Sequence, residues 1–402
     1  MIKKKEFGII LAFNDYKKFY SQNKELICTL SSRFKKIYVI NVINLRLRVK
    51  EEKIINSNIL PKNFECLSFN RSKDFLNFFS DKNFVAIQYL AKNPDFFKIF
   101  FLIKLAKIKN IMIKNLGNFG NKLTPDFNKN NIFAFQHYYN KGFYYIFRIF
   151  TILNLFPKID LLFESDKEII EAHKNGISRK FENKFPFFKI SYFRKIELIN
   201  SIFFDQFKNK DISKINTNEK YILYIDVPID HEDRLQREGK VEKSIKSNFY
   251  INLKNFLRNF SYIFDLKVVV GLHPASKDGY DHLSEFEIRK ERTVDLIPGS
   301  EIILVTHSSL IASAILYNKK ILSLNSKYLG KFLSEKTIKY KKSLELYSAN
   351  IDEKFSLKKD ECQKEMLKSI KNYENYINTR LKADGENLPN EKIVKTIKEM
   401  FF

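Results

Sequence analysis

Tryptophan is absent from this 402-residue chain and cysteine is nearly so, with three residues. Cys28, Cys66 and Cys362 lie far apart, with no Cys-x-x-Cys or Cys/His ligand spacing, so a reduced, cytoplasmic protein is expected. His137, His173 and His282 also stand at no ligand spacing from carboxylates or thiols, and neither a metal nor another cofactor is expected. No run is both long and apolar enough to cross a bilayer. The stretch 96–113 is interrupted by Lys98, Lys104, Lys107 and Lys109, and 142–156 is short and carries Arg148. Met1-Ile2-Lys3-Lys4-Lys5 starts basic but runs directly into an apolar strand pattern without a small-residue cleavage site, so a signal peptide is not expected. No Gly-x-Gly-x-x-Gly follows a strand and no Walker-type phosphate loop occurs, which argues against dinucleotide redox chemistry and P-loop hydrolysis. No internal repeat is detectable.

Acidic residues are also scarce relative to basic ones: 46 Asp and Glu face 71 Lys and Arg, a formal net charge of +25. The cations form short clusters throughout, such as Lys3-Lys4-Lys5 and Lys339-Tyr340-Lys341-Lys342, not a single basic arm. With no recognition helix, stacking motif or metal knuckle, a nucleic-acid partner is not expected. Diffuse positive charge suits an anionic membrane surface or an anionic sugar nucleotide. The two interrupted apolar stretches read as core helices. The alternative is that one of them, or the end 393–402, lies in a membrane interface with its lysines toward lipid phosphates.

What is present in quantity is apolar: 44% of residues are hydrophobic, 15% aromatic and 40 are Phe, which excludes a disordered chain. The length suits two domains of about 200 residues each. Strand patterns at Phe7–Phe13, Lys36–Val42, Phe84–Tyr89, Asn110–Ile113 and Lys158–Phe163 alternate with helix patterns at 96–106 and 144–155. Ser165 with Glu168 fits a capping box for a helix reaching about His173. After a polar stretch the alternation restarts, with strands at Tyr221–Ile225, Val268–Val270, Ile302–Val305 and Lys320–Leu324, a helix at Tyr250–Phe260, and helices from about Lys339 onward. The expected architecture is α/β, with two doubly wound Rossmann-type domains facing a central cleft. An acceptor-side domain spans 1–206, a linker 207–219, and a nucleotide-binding domain with closing helices 220–402.

Two segments carry the chemistry. Gly271-Leu272-His273-Pro274 follows one apolar strand, so its imidazole projects from a carboxyl strand end, where open α/β sheets hold ligands. Thr306-His307-Ser308-Ser309 follows another and leads into an apolar helix, a geometry suited to anions. Asp226 ends the first strand of the second half, with Asp230, His231, Glu232 and Asp233 in the loop behind it. A carboxylate there is suited to act as nucleophile or general base. Glu164 ends a strand of the first half, and Lys277, Arg292 and Lys319 are candidate phosphate contacts.

The His-Pro and Ser-Ser pairs, in this order after successive strands, resemble the nucleotide-binding motifs of bacterial GT-B glycosyltransferases that use CMP-activated 3-deoxy-ulosonic acids. The segment from Tyr221 to Leu324 is similar in order and spacing to the retaining β-Kdo transferases of surface-polysaccharide biosynthesis. The resemblance implies that His273, Ser308 and Ser309 contact the CMP phosphate, with Pro274, Thr306 and His307 in the same donor-nucleotide site. It implies an aspartyl adduct on Asp226, with Asp230 or Asp233 next in line, and Glu164 as an acid/base or acceptor-orienting group. Transfer of Kdo or a related acid from a CMP-sugar to a glycan or glycolipid acceptor, at the inner membrane face and without a metal, is the function it implies. Glu164-Ser165-Asp166 is not the acidic pair followed by glycine of the sialyltransferases, so an inverting CMP-sialic acid transferase ranks second. A UDP- or GDP-sugar enzyme and a non-catalytic membrane-associated scaffold compete with these two readings.

Overall fold

A computed structural model describes residues 5–13, 15–46, 56–90, 94–114, 146–147, 149–174, 193–209, 219–230, 234, 239–273, 279–289, 292–355 and 358–402. The described residues fall into two units. One comprises residues up to 114, 146–202 and 383–402, the other 203–382.

The first unit is built on seven strands: β1 (Lys5–Leu11), β2 (Ile37–Asn41), β3 (Phe64–Ser68), β4 (Asn83–Tyr89), β5 (Lys109–Lys114), β6 (Ile159–Glu164) and β7 (Phe193–Leu198). They lie in the order β3-β2-β1-β4-β5-β6-β7, every pair parallel. Strands buried on both faces of a parallel sheet must be apolar nearly throughout. Ile37–Asn41 obeys this, and Ile159–Glu164 is likewise buried at every residue although it includes Asp160 and Glu164. Helices cover the two faces, including Tyr16–Arg33, Ser72–Phe79 and Phe97–Leu105.

The last helix, Pro389–Phe401, belongs to this unit. Its Ile393, Val394 and Ile397 join Phe7, Ile9, Leu26, Ile27 and Leu30 in one core. Asn200 fixes the return of the chain. Its amide donates to the carbonyls of Gly385 (2.8 Å) and Asn387 (2.7 Å), and its oxygen accepts from the Asp384 N–H (2.7 Å). These contacts place 383–402 with the first unit, not with the second domain to which the sequence pattern assigns them. Packing into that core buries Ile393, Val394 and Ile397, while Met400 and Phe402 stay exposed at the end of the helix.

The second unit holds β8 (Tyr221–Ile225), β9 (Val268–Gly271), β10 (Glu287–Ile288), β11 (Ser300–Val305), β12 (Lys320–Asn325) and β13 (Ser348–Asn350). Their order is β10-β9-β8-β11-β12-β13, again all parallel. The helix Lys243–Phe264 lays Phe249, Tyr250, Leu253, Phe256, Leu257, Phe260 and Phe264 against this sheet with helical periodicity. Phe207 and Lys208, expected in a linker, lie in the helix Ile202–Lys208; 210–218 lies outside the described residues. Both sheets are doubly wound, and the fold is α/β as expected.

Candidate functional site

In a sheet of order β10-β9-β8-β11-β12-β13 the connections reverse direction between β8 and β11, and a crevice opens at the carboxyl ends of those two strands. Register decides which side chains meet there. Ile225 pairs with Gly271 on one side and with Val305 on the other, so the next residues outward are Asp226, Leu272 and Thr306. With neighbouring strands about 4.8 Å apart, Asp226 therefore stands between the His273 segment and Thr306. The sequence-predicted residues Asp226, His273 and Thr306 are brought together.

Asp226 is 1% exposed. Its N–H donates to the Gly271 carbonyl at 3.0 Å, and its Oδ2 accepts from the His273 N–H at 3.5 Å. The carboxylate thus holds the backbone that presents His273, itself half-buried. Beneath it, burial and the charge of Asp226 push the Tyr224 hydroxyl well above its ordinary pKa. Gly271 is required for packing: a Cβ there would overlap the Thr293 side chain, whose hydroxyl donates to the Leu272 carbonyl at 3.3 Å. The strand end is in this way clasped by the helix Thr293–Leu296. The sequence signals neither Tyr224 nor Thr293, because their roles depend on contacts across the sheet.

On the β11 side Thr306 is 1% exposed and its hydroxyl has no hydrogen-bond partner among the described residues. Leaving such a group unsatisfied costs about 1–3 kcal/mol, which a ligand atom would recover. His307 and Ser308 are half-buried and Ser309 is exposed. The Ser308 hydroxyl accepts the Leu310 N–H at 3.2 Å and leads into the six-residue helix Ile311–Leu316. Ser308 therefore has a structural bond as well as an O–H left to donate.

Other candidates are placed differently. Asp230 pairs with Lys246 at 2.6 Å, beside the first turn of the helix Lys243–Phe264, and so neutralises a helix lysine. Asp233, Pro274 and Lys277 lie outside the described residues. Lys319 donates to the carbonyls of Pro298 (2.6 Å) and Ser300 (2.7 Å), at the amino end of β11. Arg292 pairs with Asp295 at 2.9 Å. Lys319 is thus away from the carboxyl strand ends, whereas Arg292 directly precedes Thr293 and has its guanidinium on Asp295.

Glu164 ends β6 in the first unit, 3% exposed. Its Oε1 accepts the N–H groups of Ser165 (3.1 Å) and Asp166 (3.4 Å); its Oε2 has no hydrogen-bond partner among the described residues and lies 4.0 Å from Lys114 Nζ. Burial raises its pKa to about 7, opposed by the Lys114 charge. A carboxyl of this kind exchanges a proton near neutrality. The cap of the following helix is Asp166, whose Oδ1 accepts from Glu168 N (2.9 Å) and Ile169 N (3.3 Å); the expected capping box on Ser165 is corrected accordingly. Among the described residues no group of three or more His, Cys, Asp or Glu gathers as a metal site.

Two doubly wound sheets of this order in one chain define the architecture of the GT-B enzymes. Among solved structures, the wall teichoic acid polymerase TagF is similar over 99% of this chain and 89% of its own, with TM-score 0.52 and 12% identity. A single-residue variant of TagF is similar over 98% of this chain and 88% of its own, with TM-score 0.50 and 14% identity. A putative UDP-N-acetylglucosamine 2-epimerase from Listeria monocytogenes aligns over 99% and 97%, with TM-score 0.49 and 11% identity. At such identities the likeness is one of fold. The sequence matches no protein-family model and no curated protein.

Proposed function

We propose that this chain is a glycosyltransferase that takes its sugar from a nucleotide donor held at the carboxyl ends of β8, β9 and β11. The observation that carries this is the convergence of Asp226, His273 and Thr306 at the topological switch point of the second unit, with a buried hydroxyl awaiting a partner. The donor we favour is CMP-Kdo or a related CMP-ulosonic acid, on the resemblance carried by His273, Ser308 and Ser309. Such donors bear a phosphodiester and a carboxylate, which a chain of net charge +25 attracts. His273 and the hydroxyls of Thr306 and Ser308 would stabilise the departing CMP as preorganised donors. The acceptor is a bacterial surface glycan or glycolipid, a choice supported by the fold shared with a polymerase of wall teichoic acid. Glu164, titrating near neutrality, is the proposed group for taking the acceptor proton.

Asp226 can act in two ways. In retaining chemistry it is the nucleophile and carries a glycosyl adduct. Its burial and its bond to the His273 backbone favour a second reading, inverting transfer in which Asp226 positions the His273 segment. Intact-mass analysis of enzyme quenched during turnover separates them, since only the nucleophile gains one glycosyl residue.

The donor assignment is tested by thermal melting with CMP, CMP-Kdo, CMP-sialic acid and UDP, on the native chain and on His273→Ala. Ligand at a hundredfold its Kd adds about 2.7 kcal/mol of stability. We expect protection by CMP and CMP-Kdo that His273→Ala abolishes. Protection by UDP alone would reject the cytidylate donor, and protection by none of the four would reject the site.

A further inference from the structure

Among its described residues, the first unit carries an exposed apolar surface. Phe101 and Leu105 are 42% and 50% exposed, and Ile149 and Leu153 are 52% and 62% exposed. Ile146, Ile152 and Leu155 are exposed beside them. These seven are half of the fourteen exposed large hydrophobic side chains among the described residues, confined to two short segments.

The two segments are neighbours. Phe97 packs edge-on against Phe150 and Phe156, Phe100 packs against Phe147, and Lys104 donates to Asn154 at 2.6 Å. Phe147 and Phe156 are buried in the core. Among the described residues of this segment Phe147 and Phe156 face the protein, while Ile146, Ile149, Ile152 and Leu153 face solvent. Exposed patches of this kind mark interaction surfaces.

Charge identifies the partner. Lys104 lies within electrostatic reach of Lys109 and Arg194, with Lys107 exposed in the turn that follows. The one carboxylate in this group, Asp160, is held by Arg194 at 3.1 Å and by the Asn110 N–H at 2.9 Å. An apolar centre rimmed by surplus lysine fits the boundary of an anionic bilayer, where acyl chains meet phosphate headgroups. A partner protein with a mixed-charge rim would leave these cations unmatched.

We propose that the face formed by Phe101, Leu105, Ile149 and Leu153, with the rim of Lys104, Lys107 and Lys109, docks this protein on an anionic lipid surface. No helix among the described residues is long and apolar enough to cross a membrane, so the contact is peripheral. This inference stands apart from the donor assignment, since it uses residues of the first unit alone.

The test is sedimentation of the full chain with vesicles of phosphatidylcholine, alone or mixed with phosphatidylglycerol. The native chain should partition about tenfold more strongly into the mixed vesicles. Ile149→Glu/Leu153→Glu should lower that partition about tenfold, with unchanged melting because both side chains already face solvent. Lys104→Glu/Lys107→Glu is the second variant, and should remove the preference for the anionic vesicles. Apolar-face or rim variants that partition like the native chain would overturn the proposal. So would a native dimer in analytical ultracentrifugation that Ile149→Glu/Leu153→Glu converts to monomer, which would make a second copy the occupant.

Discussion

The two sheets share one winding, 3-2-1-4-5-6 in their first six strands, but differ in the buried polar side chains they carry at the reversal point. In the second unit these sit at the reversal point, as Asp226 and Thr306 flanking the β8–β11 pair. In the first unit the equivalent strands, β1 and β4, end in Leu11 and Tyr89. Beside the Tyr89 hydroxyl stands Gln88, buried with neither amide atom bonded among the described residues. The buried carboxylates of that unit are instead Asp160 and Glu164 on β6, two strands away from β4, and Asp166 just beyond it. Topology supplies a crevice to both sheets; the residue that follows each strand decides what chemistry the crevice has. Substitutions at strand ends in each unit can break or sharpen this contrast.

The largest expected effect is at Gly271. Adding a methyl group drives it into Thr293, and overpacking of this kind costs about 1–3 kcal/mol. Gly271→Ala should cost stability in the upper part of that range, read as a lower melting temperature, and displace the His273 segment, weakening nucleotide protection as well. Gly271→Ala/Thr293→Ala should recover most of the stability, because the second change removes the atoms that clash. A double variant no more stable than Gly271→Ala would show that the strand end is not held by this contact.

In the first unit the test is pH. The pKa of Glu164 is raised from 4.5 to about 7, so the folded chain binds that proton more tightly than the unfolded chain. Its stabilising contribution is complete below about pH 4.5 and is lost as pH rises through 7, a loss of about 3 kcal/mol by pH 8. Glu164→Gln keeps an acceptor for the Ser165 and Asp166 N–H groups and cannot ionise. It should melt higher than the native chain at pH 8 and about equally at pH 5. Parallel pH dependences for the two proteins would mean that Glu164 is ionised with ordinary affinity, and the contrast between the units would lose one side.

Legibility in the sequence follows burial. Nine strands in the centre of the two sheets are continuous apolar runs and are marked by their patterns, Tyr221–Ile225 to the residue. The strands without such a mark are peripheral. Phe193–Leu198 reads Phe-Arg-Lys-Ile-Glu-Leu because an edge strand needs only one apolar face, and Ser348–Asn350 has just Ala349 buried. Tyr16–Arg33 gives no clear pattern because Lys, Asn, Ser and Thr dilute its apolar stripe; Asn23 and Thr29 bond their side chains back to Phe19 and Glu25 carbonyls. At the site, the motifs around His273 and Thr306 are readable one at a time. That Asp226 lies between them depends on strand order, and pairing between residues 45 and more apart leaves no local trace. The sequence pattern misplaces the tail for the same reason: Asn200 reaches Gly385 across 185 residues.

The smallest expected effect separates function from stability most cleanly. Thr306 buries a hydroxyl that has no partner among the described residues, and Val has the same shape without that group. Replacing an unsatisfied buried hydroxyl by a methyl group is neutral or stabilising, so Thr306→Val should melt at the native temperature or gain about 1 kcal/mol in the absence of ligand. If the hydroxyl serves a bound nucleotide, the same variant should lose part of the protection that CMP gives, roughly three- to tenfold in Kd for one neutral hydrogen bond. The opposite signs matter more than the sizes. A site that only supports the fold would lose stability and leave nucleotide affinity unchanged, whereas a binding site gives up affinity and keeps or gains stability. Thr306→Val with lower stability and native CMP affinity would therefore return the β11 end to the core and remove one of the three strands from the proposed pocket.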